Sequence, residues 1–281
     1  MKKHARLLLP LAVLGAVLVT AASAAVASAS APSAPARSKP AGYTILTKSF
    51  AANAGVESGG HVRCPKGTVP LGGGVFVNTS PDLRVNVSAS APFGSFWAGA
   101  VKNSSTVDST FRVTAVCAKR PKGYRQVESR IVSNPAGTQS KAVATCPAGT
   151  KPLGGGGFTS SESTLVNMNG TAPKGRTWVV RENNTDMGDA TVGAIAVCGK
   201  LHGYRVVKGK PFSVIHGLEA GSFASCPAPT VPISGGVFSG SKSVFVNFAG
   251  SFRTGHEWDA FVNNSTEGDI SSAAVVVCAR R

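Results

Sequence analysis

The sequence is poor in the residues on which enzymes usually depend. Of its 281 residues, 13 are acidic and 5 are His, and only 15% carry a charge. No carboxylate pair recurs along the chain, no Gly-x-Ser-x-Gly element occurs, and no His/Cys group has the spacing of a zinc site. The histidines of the predicted mature chain stand in dissimilar contexts: His61, His202, His216 and His256. We therefore expect a protein that is not an enzyme, without catalytic, cofactor-binding or metal-binding residues. A hydrolase is the least favoured alternative.

Helical patterning and membrane-spanning runs are also lacking beyond the N-terminal segment. After residue 29, apolar residues do not recur at helical spacing, and no apolar run is long enough to cross a bilayer. The composition is instead rich in Gly, with 33 copies, and in Val, Ser, Thr and Asn, which suit strands and turns. The mature chain is therefore predicted to be all-β and to lack a transmembrane segment.

The first 29 residues have the three regions of a secretory signal peptide. Three cations precede an apolar run, and small residues follow, with Ala-x-Ala cleavage sites that end at residue 24 or 29. We predict a cleaved signal peptide over 1–29, with an uncleaved anchor as the weaker alternative, and hence a secreted, extracellular protein. Residues 30–42 are rich in Pro, Ala and Ser and are expected to form a flexible or extended tether.

The remaining chain carries one pattern three times. The phrases CPKGTVPLGGG, CPAGTKPLGGGG and CPAPTVPISGG each open with a Cys, and an apolar run ending in a second Cys follows at nearly constant spacing. A period of about 80 residues indicates three tandem units, 43–123, 124–203 and 204–281, each with Gly-Tyr at its start. In a secreted chain this spacing predicts three disulfides within the units. The predicted pairs are Cys64–Cys117, Cys146–Cys198 and Cys226–Cys278.

Each unit has the signals of five or six short antiparallel strands. β-Branched residues alternate with polar ones between turn residues, and the runs VTAVC, AIAVC and VVVC are apolar enough to lie inside a sheet. We predict three tandem disulfide-locked antiparallel β units of about 80 residues. They are either small sandwiches or sectors of a pseudo-threefold prism.

The glycines of the shared phrase invite comparison with phosphate-binding loops. Such loops need a Lys after the glycines and a helix beginning there, whereas here no Lys follows and a strand-like run comes next. Pro70, Pro152 and Pro232 precede the glycines and are expected to fix a turn. We predict a structural role, in which the missing side chains let another backbone or a large ring approach closely.

One Trp recurs in register in each unit. Trp97, Trp178 and Trp258 alternate with apolar or small residues in their strands, which favours core positions. An indole there would fill the space above strand glycines. The alternative is an exposed platform on which a sugar stacks.

Two Asn also recur in register with the Trp. Asn103, Asn184 and Asn264 follow it by six residues and are predicted to organise turns. A second set precedes it by eleven residues inside a predicted strand: Asn86, Asn167 and Asn247. We favour a structural role for this second set. If three equivalent sugar sites exist, these Asn and the three Trp are the candidate ligand residues.

Positive charge is the remaining signal. The chain has a formal net charge of +16, of which +13 remains once the cations of the leader are removed. Such a charge attracts anionic polymers and surfaces. The cations are scattered along the sequence without an Arg-rich run, which argues against a specific nucleic-acid partner. A plain soluble basic surface is the alternative interpretation.

The shared phrases also resemble known proteins. C-P-x-G-T-x-x-L-G-G-G, followed by a Trp strand, N-N-[ST] and V-x-V-C-A, is similar to units of uncharacterised secreted proteins of actinobacteria and of some phage-related surface proteins. This resemblance covers the chain after residue 42 and implies an extracellular β-rich protein without an assigned activity. A weaker similarity is to the vitelline membrane outer layer protein I family, whose three units form a pseudo-threefold β-prism. The units here are longer and add the Trp hairpin.

Together these features indicate a secreted, non-catalytic binding or surface protein. Its expected ligand is a carbohydrate or an anionic cell-envelope polymer, bound by several weak sites that act together. The alternative is a secreted inhibitor or protein-binding module that uses the most divergent segments, 131–141 and 211–222. The oligomeric state is left open.

Overall fold

The computed structural model describes residues 36–77 and 82–281, and this part of the chain is built from strands and loops. It contains no helix, and so none that could span a membrane. The first unit has strands β1 (Thr44–Ala52), β2 (Glu57–Arg63), β3 (Val69–Val77), β4 (Val85–Phe93), β5 (Phe96–Asn103) and β6 (Ser109–Ala118). The second has β7 (Lys122–Glu128), β8 (Val132–Asn134), β9 (Gln139–Thr145), β10 (Lys151–Thr159), β11 (Val166–Lys174), β12 (Thr177–Asn184) and β13 (Ala190–Lys200). The third has β14 (His202–Lys208), β15 (Phe212–Val214), β16 (Glu219–Ser225), β17 (Val231–Ser239), β18 (Val246–Thr254), β19 (Glu257–Asn264) and β20 (Ile270–Arg280).

Three antiparallel sheets result, and each takes strands from two units. Sheet A has the order β1-β6-β3-β18-β19-β16 and joins the first unit to the third. Sheet B has the order β2-β5-β4-β10-β13-β7 and joins the first unit to the second. Sheet C has the order β14-β20-β17-β11-β12-β9 and joins the second to the third. The short strands β8 and β15 pair beside β13 and β20. Every unit therefore shares both of its sheets with neighbours, and the sharing closes in a ring.

The predicted all-β class and the three disulfide-locked units are confirmed. All three predicted Cys pairs are bonded. The interior strands β6, β13 and β20 are almost wholly buried after their first residues, as their apolar runs predicted. The second and third units have one strand more than expected, because their opening strand is interrupted. At one interruption Ser129 Oγ accepts a hydrogen bond from the Ala194 amide at 3.0 Å, and at the other Pro211 has no amide hydrogen to give to a ladder.

Strands β3, β10 and β17, which carry the glycine phrases, meet at the centre of the three sheets. A side chain at Gly72 would overlap the carbonyl oxygen of Ile233, and one at Gly154 would overlap that of Leu71. The third unit has Ser234 at the same place, fully buried against both glycines. The close approach of another backbone that the glycines predicted is therefore present. There is room for one small side chain among the three strands.

The tyrosines that open the units bond to the prolines that precede the glycines. Tyr124 Oη donates to the Pro70 carbonyl at 3.1 Å, and Tyr204 Oη donates to the Pro152 carbonyl at 3.2 Å. Tyr43 Oη completes the ring by donating to the carbonyl of Pro232 in the third unit. Each Tyr thus ties its unit to the one that precedes it in the ring.

The end of the predicted tether is packed, in contrast to the sequence-based expectation. Arg37 Nη1 donates to the carbonyls of Cys226 and Thr230, both at 2.7 Å, and the Ser38 amide donates to the Pro229 carbonyl at 2.9 Å. Carbonyl groups of the CPAPT turn accept these hydrogen bonds, and the composition of residues 30–42 could not reveal such partners.

Candidate functional site

The three Trp side chains lie in the core, as their alternation predicted. Trp97, Trp178 and Trp258 have no exposed surface. Each indole covers a central glycine of its own unit, so that a side chain at Gly73, Gly155 or Gly235 would collide with the ring. Trp97 Nε1 donates to Ser90 Oγ at 3.0 Å and Trp178 Nε1 to Thr171 Oγ1 at 2.7 Å. A ring without exposed surface has no face on which a sugar can stack.

The Asn that follow the Trp by six residues organise the adjacent loops. Asn103 Nδ2 donates to the carbonyls of Ala52 and Val107, and the Ser105 amide donates to Asn103 Oδ1 at 3.0 Å. Asn184 and Asn264 repeat this arrangement. The predicted turn role is confirmed, although these Asn do not use left-handed geometry. Among the described residues, only glycines have a positive φ.

Two members of the second Asn set connect units to each other. Asn86 and Asn167 are 4% and 5% exposed, while Asn247 is half-buried. Asn86 Oδ1 accepts a hydrogen bond from Asn263 Nδ2 at 2.9 Å, and Asn247 Oδ1 accepts one from Asn183 Nδ2 at 3.0 Å. Asn86 and Asn247 therefore join units, whereas Asn167 Nδ2 donates within its own unit to the Thr164 carbonyl at 3.0 Å.

The residues five positions after each Trp also join units, and they were not identified from the sequence. Lys102 Nζ, Asn183 Nδ2 and Asn263 Nδ2 donate to the carbonyl of the first residue of β11, β18 and β4, respectively, each in the next unit. The acceptors are Val166 at 2.8 Å, Val246 at 2.7 Å and Val85 at 3.3 Å. Aligning VKNSS with ENNTD and VNNST shows a Lys where the other units have Asn. This difference was the only sign in the sequence that the position has a special role.

The junction of the first and second units differs from the others in carrying buried charge. Lys102 and Glu182 both have no exposed surface, and Asn134 Nδ2 donates to Glu182 Oε1 at 3.0 Å. Burial lowers the pKa of Lys102, an effect opposed by Glu57 and Glu182. Burial raises the pKa of Glu182 to about 7, an effect opposed by its hydrogen bonds and by Lys102. This charge lies inside the junction and not on a surface that a ligand could reach.

Charge on the surface is divided between the two ends of the sheets. One end holds the chain segments between strands at 36–43, 64–68, 94–95, 119–121, 146–150, 175–176, 201, 226–230 and 255–256, together with residue 281. We call it the basic end, because these segments carry seven cations and no Asp or Glu side chain. The cations are Arg37, Lys39, Lys66, Lys119, Arg120, Arg176 and Arg281. All but Arg37 are exposed.

The opposite end is acidic and holds the ion pairs. Its connecting segments contain seven carboxylates and four cations among the described residues. Both ion pairs found in the described part of the chain lie there, Arg84–Asp82 at 3.0 Å and His216–Asp269 at 3.4 Å. The second is the kind of His–acid pair that a hydrolase uses, but its side chains are 62% and 55% exposed and lie in loops. Water competes strongly for an ion pair in such a position.

The described part of the chain presents charged surfaces but no cluster of metal-ligating side chains. Residues 36–77 and 82–281 contain no cluster of three or more His, Cys, Asp or Glu side chains that could hold a metal ion. No protein-family model matches the sequence, and no curated protein matches it. Inferences about function therefore depend on the chemistry of the chain's own surfaces.

Proposed function

We propose that the mature protein is a secreted, non-catalytic protein that binds an anionic polymer of a cell envelope through its basic end. The observation that carries the proposal is the set of seven loop cations without an Asp or Glu side chain at that end. Secretion is part of the proposal and is supported by the N-terminal sequence of residues 1–29 and by the three disulfides.

The electrostatics of the basic end favour an extended anion. Exposed cations at the adjoining strand ends enlarge the positive area, among them Lys122, Lys151, Lys174, Lys200 and Arg280. Glu257, half-buried at the start of β19, is the carboxylate closest in sequence to these loops. Charges spread over a whole end suit a polymer that presents many negative groups at once. A single small anion would contact few of them and would be screened at physiological salt.

The proposal is tested by retention of the mature protein on a polyanion across a salt series. Purified anionic cell-wall polymer and heparin serve as matrices, and neutral cellulose is the reference. We expect retention on the anionic matrices that weakens steadily with salt, because released counterions drive such binding. Absence of retention at low salt would overturn the proposal.

A pair of charge-matched variants separates the basic end from net charge. The first replaces Lys66, Lys119, Arg120 and Arg176 by Gln, and the second replaces Lys48, Arg130, Lys210 and Lys242 by Gln. Both lose four positive charges, and all eight side chains are exposed. The first variant should elute at much lower salt than the second. Equal elution of the two would show that the basic end is not the binding surface.

A further inference from the structure

The outer face of sheet A carries three Phe side chains in mutual contact. Phe76 lies on β3, Phe252 on β18 and Phe261 on β19. The ring centroids of Phe76 and Phe252 are 4.5 Å apart, and those of Phe76 and Phe261 are 5.3 Å apart. Phe252 and Phe261 are stacked in parallel at 6.0 Å. All three rings are half-buried, so each keeps a face or an edge in contact with solvent.

An arginine without a polar partner lies over these rings. The guanidinium carbon of Arg112 is 5.2 Å from the centroid of Phe76 and 5.8 Å from that of Phe252. Among the described residues it has neither a carboxylate within ion-pair distance nor a hydrogen-bond acceptor. A guanidinium held over aromatic rings still has N–H donors at its edge, which can bind a carboxylate with two parallel hydrogen bonds.

Beside this cluster lies a hollow of about 340 Å³. Its lining residues include two Arg, two Phe and three Thr, and no Asp or Glu, and the guanidinium carbon of Arg253 is 6.0 Å from the Tyr43 ring centroid. The lining residues are Thr47, Phe76, Arg112, Thr114, Phe252, Arg253, Thr254 and Gly255. Arg253 Nε is buried without a hydrogen-bond partner. Asp259 stands nearby on the same face, where it accepts a hydrogen bond from Thr254 Oγ1 at 2.6 Å.

Neither of the other sheets repeats this arrangement. Phe158 and Phe238 occupy the position of Phe76 in their units, but Gly193 and Ala273 occupy that of Arg112, five residues before the closing Cys. Two units therefore form the same sheet without the arginine. The fold does not require Arg112, and its placement over the Phe rings calls for another explanation.

We infer that this hollow is a subsite for a carboxylate-bearing sugar ring. The Phe rings pack against the apolar face of the ring, Arg112 holds its carboxylate in a bidentate pair, and the threonines are hydrogen-bond partners for its hydroxyls. The positive lining selects an acidic sugar over a neutral one. The inference depends on the proposed function, because it names the chemistry that one sugar residue of the anionic polymer would need.

The test uses trigalacturonate as a probe, with its fully methyl-esterified form as the neutral counterpart. Binding to the mature protein is measured by calorimetry. Changes in the NMR chemical shifts of backbone amides then locate the site. We expect the acid to bind with shifts at Thr47 and Thr114 and the ester to bind at least about tenfold more weakly, as loss of one bidentate pair implies. Equal binding of acid and ester would overturn the inference.

A matched pair of variants tests the role of Arg112 directly. Arg112→Lys keeps the charge but removes the planar fork, so trigalacturonate should bind about tenfold more weakly. Arg63 lies 5.5 Å from the Phe96 centroid on sheet B and donates to Ser95 Oγ, and Arg63→Lys should leave binding unchanged. Unchanged binding by Arg112→Lys would overturn the inference.

The outcome for the hollow is distinguishable from that for the basic end. If trigalacturonate fails to bind while polyanion retention still depends on the basic end, the hollow is not the subsite and the proposed function stands. If trigalacturonate binds through Arg112 but no anionic matrix retains the protein, the proposed function fails and the acidic-sugar site stands.

Discussion

The indole of Trp97 lies over Gly73 so closely that the two positions behave as one packing unit. The glycine leaves the space and the ring fills it, and the second and third units repeat the pair. The phrase of prolines and glycines is therefore a device for packing: one glycine of each phrase makes room for an indole, and Gly72 and Gly154 make room for another strand.

Replacing Gly73 by Ala should destabilise the protein by about 1–3 kcal/mol, the range typical of overpacked cores. The new methyl group would overlap both the indole of Trp97 and the carbonyl of Thr114. Denaturant unfolding measures the change. Gly59→Ala is the control, because a methyl group there would meet only the Gly99 carbonyl, at 3.8 Å. Similar losses for the two variants would contradict this account of the glycines.

The three tyrosines should resist ionisation in the native protein. Burial raises the pKa of Tyr43 and of Tyr204 to about 12, and it also raises that of Tyr124. In the unfolded chain the tyrosine pKa is about 10, so native stability is lost as pH rises above that value. An absorbance titration should show phenolate forming at higher pH in buffer than in denaturant, with Tyr43 and Tyr204 titrating near pH 12. Coincident titration curves in buffer and denaturant, with the fold intact in buffer, would contradict the burial of these hydroxyl groups.

Glu182 should make stability fall as pH rises. Its pKa is raised from 4.5 to about 7 in the folded chain, so folding favours the protonated form. Stability is then lost between the unfolded and the folded pKa values, by up to about 3 kcal/mol at 1.36 kcal/mol per pKa unit. Glu182→Gln should flatten this pH dependence and be more stable than wild type above pH 7. The free energy of unfolding of both proteins is measured from pH 4 to 8 at constant ionic strength. If it changes with pH equally in wild type and in Glu182→Gln, the pH dependence does not come from Glu182.

The disulfides should be protected from reductants while the protein is folded. Cys117, Cys198 and Cys278 have no exposed surface, and their partners are 1–5% exposed. Alkylation followed by mass measurement should detect no free thiols after dithiothreitol treatment in buffer, and six after the same treatment in denaturant. Removing the pair Cys146–Cys198 by double Ala substitution should cost about 4 kcal/mol for a loop of this length. Rapid native-state reduction would show that the buried positions open readily.

The features that the sequence predicted correctly depend on local chemistry. Cys spacing, the Trp–glycine pair and the turn Asn involve residues of one unit, and three copies make their register visible. The pairing of β3 with β18 was not visible, because alternation tells which face of a strand is buried and not which strand lies beside it. The basic end could not be predicted from the sequence for a related reason. Lys66, Lys119 and Arg176 are far apart in sequence, and they gather because successive strands return their loops to the same end.

The ring of shared sheets also fixes when the protein can fold. Sheet A pairs β3, near the start of the chain, with β18, near its end, so its central seam cannot form until almost all residues have been synthesised. A growing chain would meanwhile expose the strand edges that β18 and β19 later cover. Such long-range closure makes folding slow compared with that of locally paired proteins. Under the proposed secretion, this delay keeps the chain unfolded while it crosses the membrane, before its cysteines oxidise.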